Sequence, residues 1–252
     1  CPHPEETTAY IVYLLQTMAE IAEVLDKTDD KRRFSEFAEK AKIGYGKLVE
    51  CPEFSLDTNR QAKLVRPLYM GLLDEKKAEF AKKRLITALD NYEWRLGTGF
   101  LSTPFILYVL EDIDAEYAYR LLENEQMPGW LFMPKMHANT IWESWEGTEA
   151  QGGIASLDHY SKGAVLEWVF SEMCGVKVSG ENEFTIAPKV GGEFTFAACG
   201  YQSVYGKVSC GWQRENGKTT YQIAIPANTT AKVVLPGGEK TLAAGEYEFT
   251  AE

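Results

Sequence analysis

Across residues 5–27, positions Tyr10, Tyr13, Leu14, Thr17, Ile21, Val24 and Leu25 recur at helical spacing, which predicts an amphipathic helix of about five turns. The same period returns over 31–49, with Phe34, Phe37, Ala38, Ala41, Tyr45 and Leu48 inward, and over 75–92, closing on Leu85, Ile86 and Leu89. Between them, 59–73 reads as a helix led by an Asp57-Thr58 cap and kinked or shortened at Pro67. Pro104 suits the first turn of a helix running to residue 111, capped by Ser102 or Thr103. Asp114 caps another over 115–124, with Tyr117, Ala118, Leu121 and Leu122 inward. A last helix over 157–173 turns Val165, Leu166, Trp168, Val169 and Met173 to the core.

After Gly175 the period changes from helical to alternating. Residues 183–188, 193–201, 203–214, 218–226, 231–235 and 245–250 switch apolar and polar positions in turn, and Gly, Asn and Pro clusters separate them. Asn216-Gly217 is a two-residue hairpin signal. The chain therefore divides into a helical domain, 1–175, and an antiparallel β-sandwich, 176–252. Short connections make the helices hairpins, and without a repeat of 20–50 residues a partial helical (α/α) barrel fits better than a solenoid.

Charge sharpens this division. Of the formal −11, the segment from residue 176 onward carries −1, with 7 basic and 8 acidic side chains, and the helical part carries −10. Such a surface repels phosphate, which excludes nucleic acid and anionic membrane as main partners. No run of eighteen apolar residues appears, and the opening Cys-Pro-His-Pro-Glu-Glu lacks the marks of a signal peptide. Five cysteines without a C-x-x-C pair read as reduced, packed side chains.

The candidate chemistry sits in the segment 126–155, too long for an idle connection. Within it Asn139-Thr140-Ile141-Trp142-Glu143-Ser144-Trp145-Glu146-Gly147 sets a carboxylate between two indoles, with Trp130, Phe132 and His137 before it and Asp158-His159 after it. Indole faces suit the C–H faces of a sugar, and a carboxylate held away from bulk water can activate a water molecule. Glu143 is thus expected to be the general base of a sugar-cleaving enzyme, with Trp130, Trp142, Trp145 and His159 binding substrate. Glu146 ranks below it, beside the turn residue Gly147, and Asp158 reads as a helix-dipole partner. His3, His137 and His159 lack metal-ligand spacing, so no metal is expected. No cofactor is expected either: Gly97-Thr98-Gly99 is too short for a dinucleotide, and no G-x-S-x-G marks a serine hydrolase.

Several runs, in order, resemble the bacterial α-L-rhamnosidases of glycoside hydrolase family 78. They are Thr98-Gly99-Phe100-Leu101-Ser102-Thr103-Pro104, Ala118-Tyr119-Arg120-Leu121-Leu122, Thr140-Ile141-Trp142-Glu143-Ser144-Trp145, and Ser156-Leu157-Asp158-His159-Tyr160 with Gly163-Ala164-Val165. Ile186-Ala187-Pro188, Ser203-Val204-Tyr205-Gly206 and Ile225-Pro226-Ala227-Asn228-Thr229-Thr230-Ala231 resemble that family's C-terminal sandwich. The likeness is clearest over 58–236. It implies a six-hairpin helical barrel, an inverting glycosidase acting on terminal α-L-rhamnosides, Glu143 as general base and His159 as a sugar contact. Asp158 stands where the family has Asn, and Ser144 where it often has a basic residue. The family's general acid lies on an upstream motif that has no counterpart before Asn139. The resemblance therefore implies a C-terminal piece of a larger enzyme, inactive alone, whose partner is the missing N-terminal half of the barrel and whose uncovered helix faces favour self-association. A soluble protein of the bacterial cytoplasm, periplasm or exterior is implied. The alternatives are another helical-barrel glycosidase, a disaccharide phosphorylase, or a non-catalytic carbohydrate-binding module using Tyr201, Tyr205, Trp212 and Tyr221.

Overall fold

The computed structural model describes residues 3–153 and 155–251, which leaves Cys1 outside the described residues. They form two compact units, residues 1–114 with 124–162, and residues 115–123 with 163–252.

The first unit is helical. Helices α1 (His3–Val24) and α2 (Thr28–Leu48) pack together as a hairpin, turned by Asp26 in the left-handed region. The buried face of α1 differs from the expected one. Glu5, Ala9, Val12, Ala19 and Ala22 point inward, whereas Leu14 is 57% exposed and Leu25 59%, with Ile21 and Val24 also exposed. Small side chains let α2 approach closely, and the larger apolar set is left on the outside. On α2, Ala38 and Tyr45 are buried and Phe37 is exposed.

Helix α3 (Gln61–Tyr69) is buried nearly all round, from Gln61 through Pro67. It starts two residues later than expected and ends four residues early, two residues past Pro67 and just before Gly71 in the left-handed region. No side chain caps it, so the Asp57-Thr58 cap is not formed. Being surrounded, α3 must satisfy its polar groups internally. Arg66 bonds Glu5 at 2.5 Å and the Ser102 hydroxyl at 3.0 Å, and Tyr45 donates to the other Glu5 oxygen at 2.8 Å. Helix α4 (Glu75–Asn91) begins at Asp74, whose carboxylate caps the Lys77 N–H at 2.9 Å. A 3₁₀ turn, Thr103–Phe105, precedes α5 (Ile106–Ile113) without a side-chain cap, so Ser102 turns to Arg66 instead.

In the second unit, α6 (Ala115–Leu122) presents Tyr119, which the helical pattern had placed off the inner face. Tyr119 is fully buried, sits edge-on to Trp168 and donates to the Lys189 carbonyl. The expected helix over 157–173 is broken. Back in the first unit, the segment 126–155 is structured by α7 (Phe132–Lys135) and a 3₁₀ turn, Gly147–Gly152. Then come α8 (Tyr160–Gly163), α9 (Val165–Trp168) and a π-helical turn, Val169–Met173. Leu166, expected inward, is exposed.

The strands are β1 (Val176–Val178), β2 (Glu183–Ile186), β3 (Phe196–Ser203), β4 (Gly206–Glu215), β5 (Lys218–Leu235) and β6 (Gly238–Ala251). Strand β1 was not anticipated, and two expected strands are one. The polar stretch 226–230 is a bulge inside β5, with Asn228 in the left-handed region and a register break against β6 between Ile225 and Thr230. The first half of β5 pairs with β4, its second half pairs in parallel with β2, and β6 follows it on the other edge throughout. The six strands thus form one sheet in the order β1-β2-β5-β4-β3, with β6 also paired to β5. Val176, Phe184, Ile186, Val208, Cys210, Ile223, Ile225, Ala231 and Val233, from β1, β2, β4 and β5, form one core.

Candidate active site around Glu143

Residues 139–147 and 155–162 are laced together by the backbone. The Glu143 N–H donates to the Ser156 carbonyl at 2.9 Å, and the His159 N–H donates to the Ile141 carbonyl at 2.8 Å. Ser156 returns its own N–H to Glu143 Oε2 at 2.8 Å. The carboxylate is half-buried and forms no ion pair among the described residues. One oxygen is therefore held by a backbone donor and orients the other, as a base needs.

The indoles are arranged around this clamp. The Trp142 N–H points at Met133 Sδ at 3.4 Å, and the Trp142 ring lies so close to Gly147 that a Cβ there would come within 2.8 Å of it. Gly147 also has φ +58°, so both the backbone and the indole require glycine. Trp130 is buried and its indole N–H donates to the Lys162 carbonyl at 3.0 Å, anchoring α8. Trp145 receives the Lys162 ammonium over its ring at 4.1 Å.

Lys162 is the functional-looking residue that the sequence reading passed over. It is 7% exposed, bonds the Glu143 carbonyl and covers Trp145. Burial drives its pKa down to about 8, against the opposing pull of the Glu146 and Glu143 carboxylates. In the sequence it looked like the polar side of an unbroken helix, and no spacing rule marks a lysine that folds back on a loop.

His159 Nδ1 accepts the Ser161 N–H at 3.1 Å, so in the neutral ring the proton sits on Nε2. The ring stacks on Phe100 at 4.6 Å and on Tyr160 at 4.9 Å. Phe100 is positioned in turn by the 98–104 stretch. Gln61 accepts the Gly97 N–H at 2.8 Å and Tyr10 donates to the Leu101 carbonyl at 2.8 Å. Burial raises that Tyr10 phenol to about 12, so it stays a donor at any physiological pH.

The five residues expected at the site thus belong to one laced cluster, joined through Ser156 and Lys162. Glu146 and Asp158 are exposed beside it. His137, in the left-handed region, gives its backbone N–H to the Pro134 carbonyl and forms no bond to the cluster among the described residues. A hollow of about 410 Å³ in the same unit, lined by Pro67, Tyr69, Gly71, Lys82, Tyr108 and Asp112, contains none of these residues. Among the described residues no group of three or more His, Cys, Asp and Glu side chains is arranged to hold a metal ion. No helix among them is long and apolar enough to cross a membrane.

Comparison with known proteins matches residues 5–173 to the bacterial alpha-L-rhamnosidase 6 hairpin glycosidase domain and residues 178–250 to the bacterial alpha-L-rhamnosidase C-terminal domain. An alpha-L-rhamnosidase of Streptomyces avermitilis is 30% identical over 91% of this chain and 23% of its own length. One of Formosa agariphila is 29% identical over 91% of this chain and 26% of its own. Among solved structures, the Aspergillus terreus α-L-rhamnosidase superposes with a TM-score of 0.86 at 25% identity, covering 96% of this chain and 30% of that one. The Streptomyces avermitilis enzyme, solved with L-rhamnose, gives 0.82 at 26% identity, covering 97% and 26%. The chain spans about a quarter of the length of the curated relatives it matches.

Proposed function

The chain belongs to the bacterial α-L-rhamnosidase six-hairpin glycosidase family, and on that premise we propose that it supplies the general-base side of an inverting hydrolysis of terminal α-L-rhamnosides. The observation that carries the reading is the Glu143 carboxylate. It is clamped by the Ser156 N–H and unpaired by any cation among the described residues, and its backbone carbonyl is tied through Lys162 to the Trp145 ring. In this reading Glu143 takes a proton from water as that water attacks the anomeric carbon. His159 Nε2 donates to a sugar hydroxyl, and Trp142, Trp145 and Trp130 shape and support the wall on which the ring lies. Lys162 holds the base and Trp145 in register.

Inversion needs a second carboxylic acid about 6.5–9.5 Å from the base, to protonate the departing oxygen. No carboxylate of this chain is nominated for that role. We assign it to a part of the enzyme beyond these residues, which also covers the apolar face of α1. The relatives' greater length supports this. The helical and sandwich domains are proposed to meet at residues 175 and 176, as the two matched segments suggest. Phosphorolysis is less favoured: Lys162, the buried cation beside the base among the described residues, is spent on a carbonyl and an indole.

The test is Glu143→Gln in the whole enzyme that contains this chain. Aryl-rhamnoside turnover should fall by about two to four orders of magnitude with the fold intact, and the wild type should release the inverted anomer by NMR. Unchanged kcat would remove Glu143 from the mechanism. This chain by itself should show no turnover.

A further inference from the structure

Three cysteines of the second unit, none of them among the residues around Glu143, meet on one inner patch. Cys199 and Cys210 are direct partners across the antiparallel β3–β4 pair, on the face that carries Val208 and Trp212 into the core. Cys174 ends the π-helical turn, with its N–H on the Val169 carbonyl at 2.8 Å. That turn lies directly against the strands: Trp212 donates its indole N–H to the Met173 carbonyl at 2.8 Å, and the Cys199 thiol donates to the Phe170 carbonyl at 4.0 Å. All three thiols are free.

Their environments differ in a way that assigns roles. Cys174 and Cys210 are buried, whereas Cys199, on strand β3, is partly exposed. The Cys174 thiol donates to the Cys199 sulfur, which raises Cys174 and, against the opposing effect of burial, lowers Cys199, and the Cys210 backbone N–H adds to the lowering. A thiolate is the nucleophile in thiol oxidation, and a buried thiol beside it is the resolving partner. Cys210 is less suited to that second role. It is the Cys210 backbone N–H, not its thiol, that bonds the Cys199 sulfur. Cys174 comes from a different element and aims across at Cys199.

We propose that Cys199 and Cys174 form a peroxide-reactive dithiol that closes to a disulfide, stapling the end of the helical segment to strand β3. The Cys199 thiolate attacks one oxygen of a hydroperoxide and the O–O bond breaks. The leaving hydroxide takes a proton to become water, and Cys199 becomes a sulfenic acid. The Cys174 sulfur then attacks the sulfenic sulfur, the S–O bond breaks, and the released hydroxide takes the Cys174 proton. Two thiols lose two electrons in total, and hydrogen peroxide is reduced to two waters.

The experiment uses the whole chain with Cys1→Ser and Cys51→Ser, which leaves three thiols. After a few equivalents of hydrogen peroxide, thiols titrated under denaturing conditions should fall from three to one. The intact mass should fall by two hydrogens, and peptide mapping should join residue 174 to residue 199. The 24 residues between them lie within the closed loop, so the melting temperature of this unit should rise by roughly 5–10 °C. Adding Cys210→Ala should leave the bridge intact, and adding Cys174→Ala should leave a sulfenic acid at Cys199 that dimedone traps. Three thiols surviving, a sulfinic acid at Cys199 without a bridge, or a bridge from Cys199 to Cys210 would each overturn the proposal. Mapping of the chain that retains all three thiols decides the matter even where the Cys174 variant does not fold.

Discussion

At the scale of single residues, two buried cations do opposite kinds of work. Arg66, 1% exposed, is held by Glu5, Glu6 and Ser102, and it exists to complete a polar cluster that α3 cannot expose. Removing it leaves the Glu5 carboxylate buried without its cation. Arg66→Met should therefore destabilise the first unit by about 3–5 kcal/mol in urea titration, and adding Glu5→Gln should recover part of that loss. Lys162 is different because burial has weakened its hold on its proton, to a pKa of about 8 from an ordinary 10.5. Between those two values the unfolded chain binds the extra proton. The stability this site contributes therefore grows as pH rises from 8 toward 10.5 and is lost as pH falls through 8. Urea midpoints of the wild type, measured against Lys162→Met at pH 7, 8, 9 and 10, should drift in favour of the wild type across that window. A constant difference would mean the ammonium is not buried in solution.

At the scale of elements, α1 has two apolar faces of unlike character. Ala9, Val12, Ala19 and Ala22 are buried, while Ile11, Leu14, Met18, Ile21 and Leu25 form an exposed stripe at heptad-like spacing. The sequence pattern finds the larger side chains because they dominate the apolar signal, and it assigns them to the core for that reason. Close helix packing prefers the smaller set, which leaves the larger one for a neighbour. Leu14→Gln with Ile21→Gln should change the stability of the isolated chain by less than about 0.5 kcal/mol. Ala9→Leu on the opposite face should cost about 1–3 kcal/mol through overpacking. Equal effects in denaturant titrations would reverse the assignment of faces. The long β5 shows the same limit: Ala227 and Asn228 read as a turn, yet the strand runs on past them as a bulge, with β6 paired to it on both sides of the break.

At the scale of the whole molecule, an apolar stripe of this length on a chain spanning a quarter of its relatives has a direct consequence. Exposed apolar patches of that kind associate when nothing covers them. Sedimentation of the isolated chain should give a mass above the 28.3 kDa of one copy at micromolar concentration, and the Leu14→Gln, Ile21→Gln variant should sediment nearer to it. A monodisperse monomer for the unaltered chain would count against α1 as a face made for the remainder of a barrel.

Periodicity alone located the helical and β regions, because a period of 3.6 or 2 is a local property that survives whatever the chain packs against. The indole-flanked Glu143 and the nearby His159 were legible for a similar reason, since their neighbours in sequence are also their neighbours in space. Tertiary structure decided the rest. It chose which face of α1 is covered, placed Tyr119 beneath Trp168, and broke the last helix so that Lys162 could reach back to Glu143 and Trp145. It also brought Cys174 beside Cys199. Each of these depends on a group distant in sequence, and burial and charge act through space, where no spacing along the chain records them.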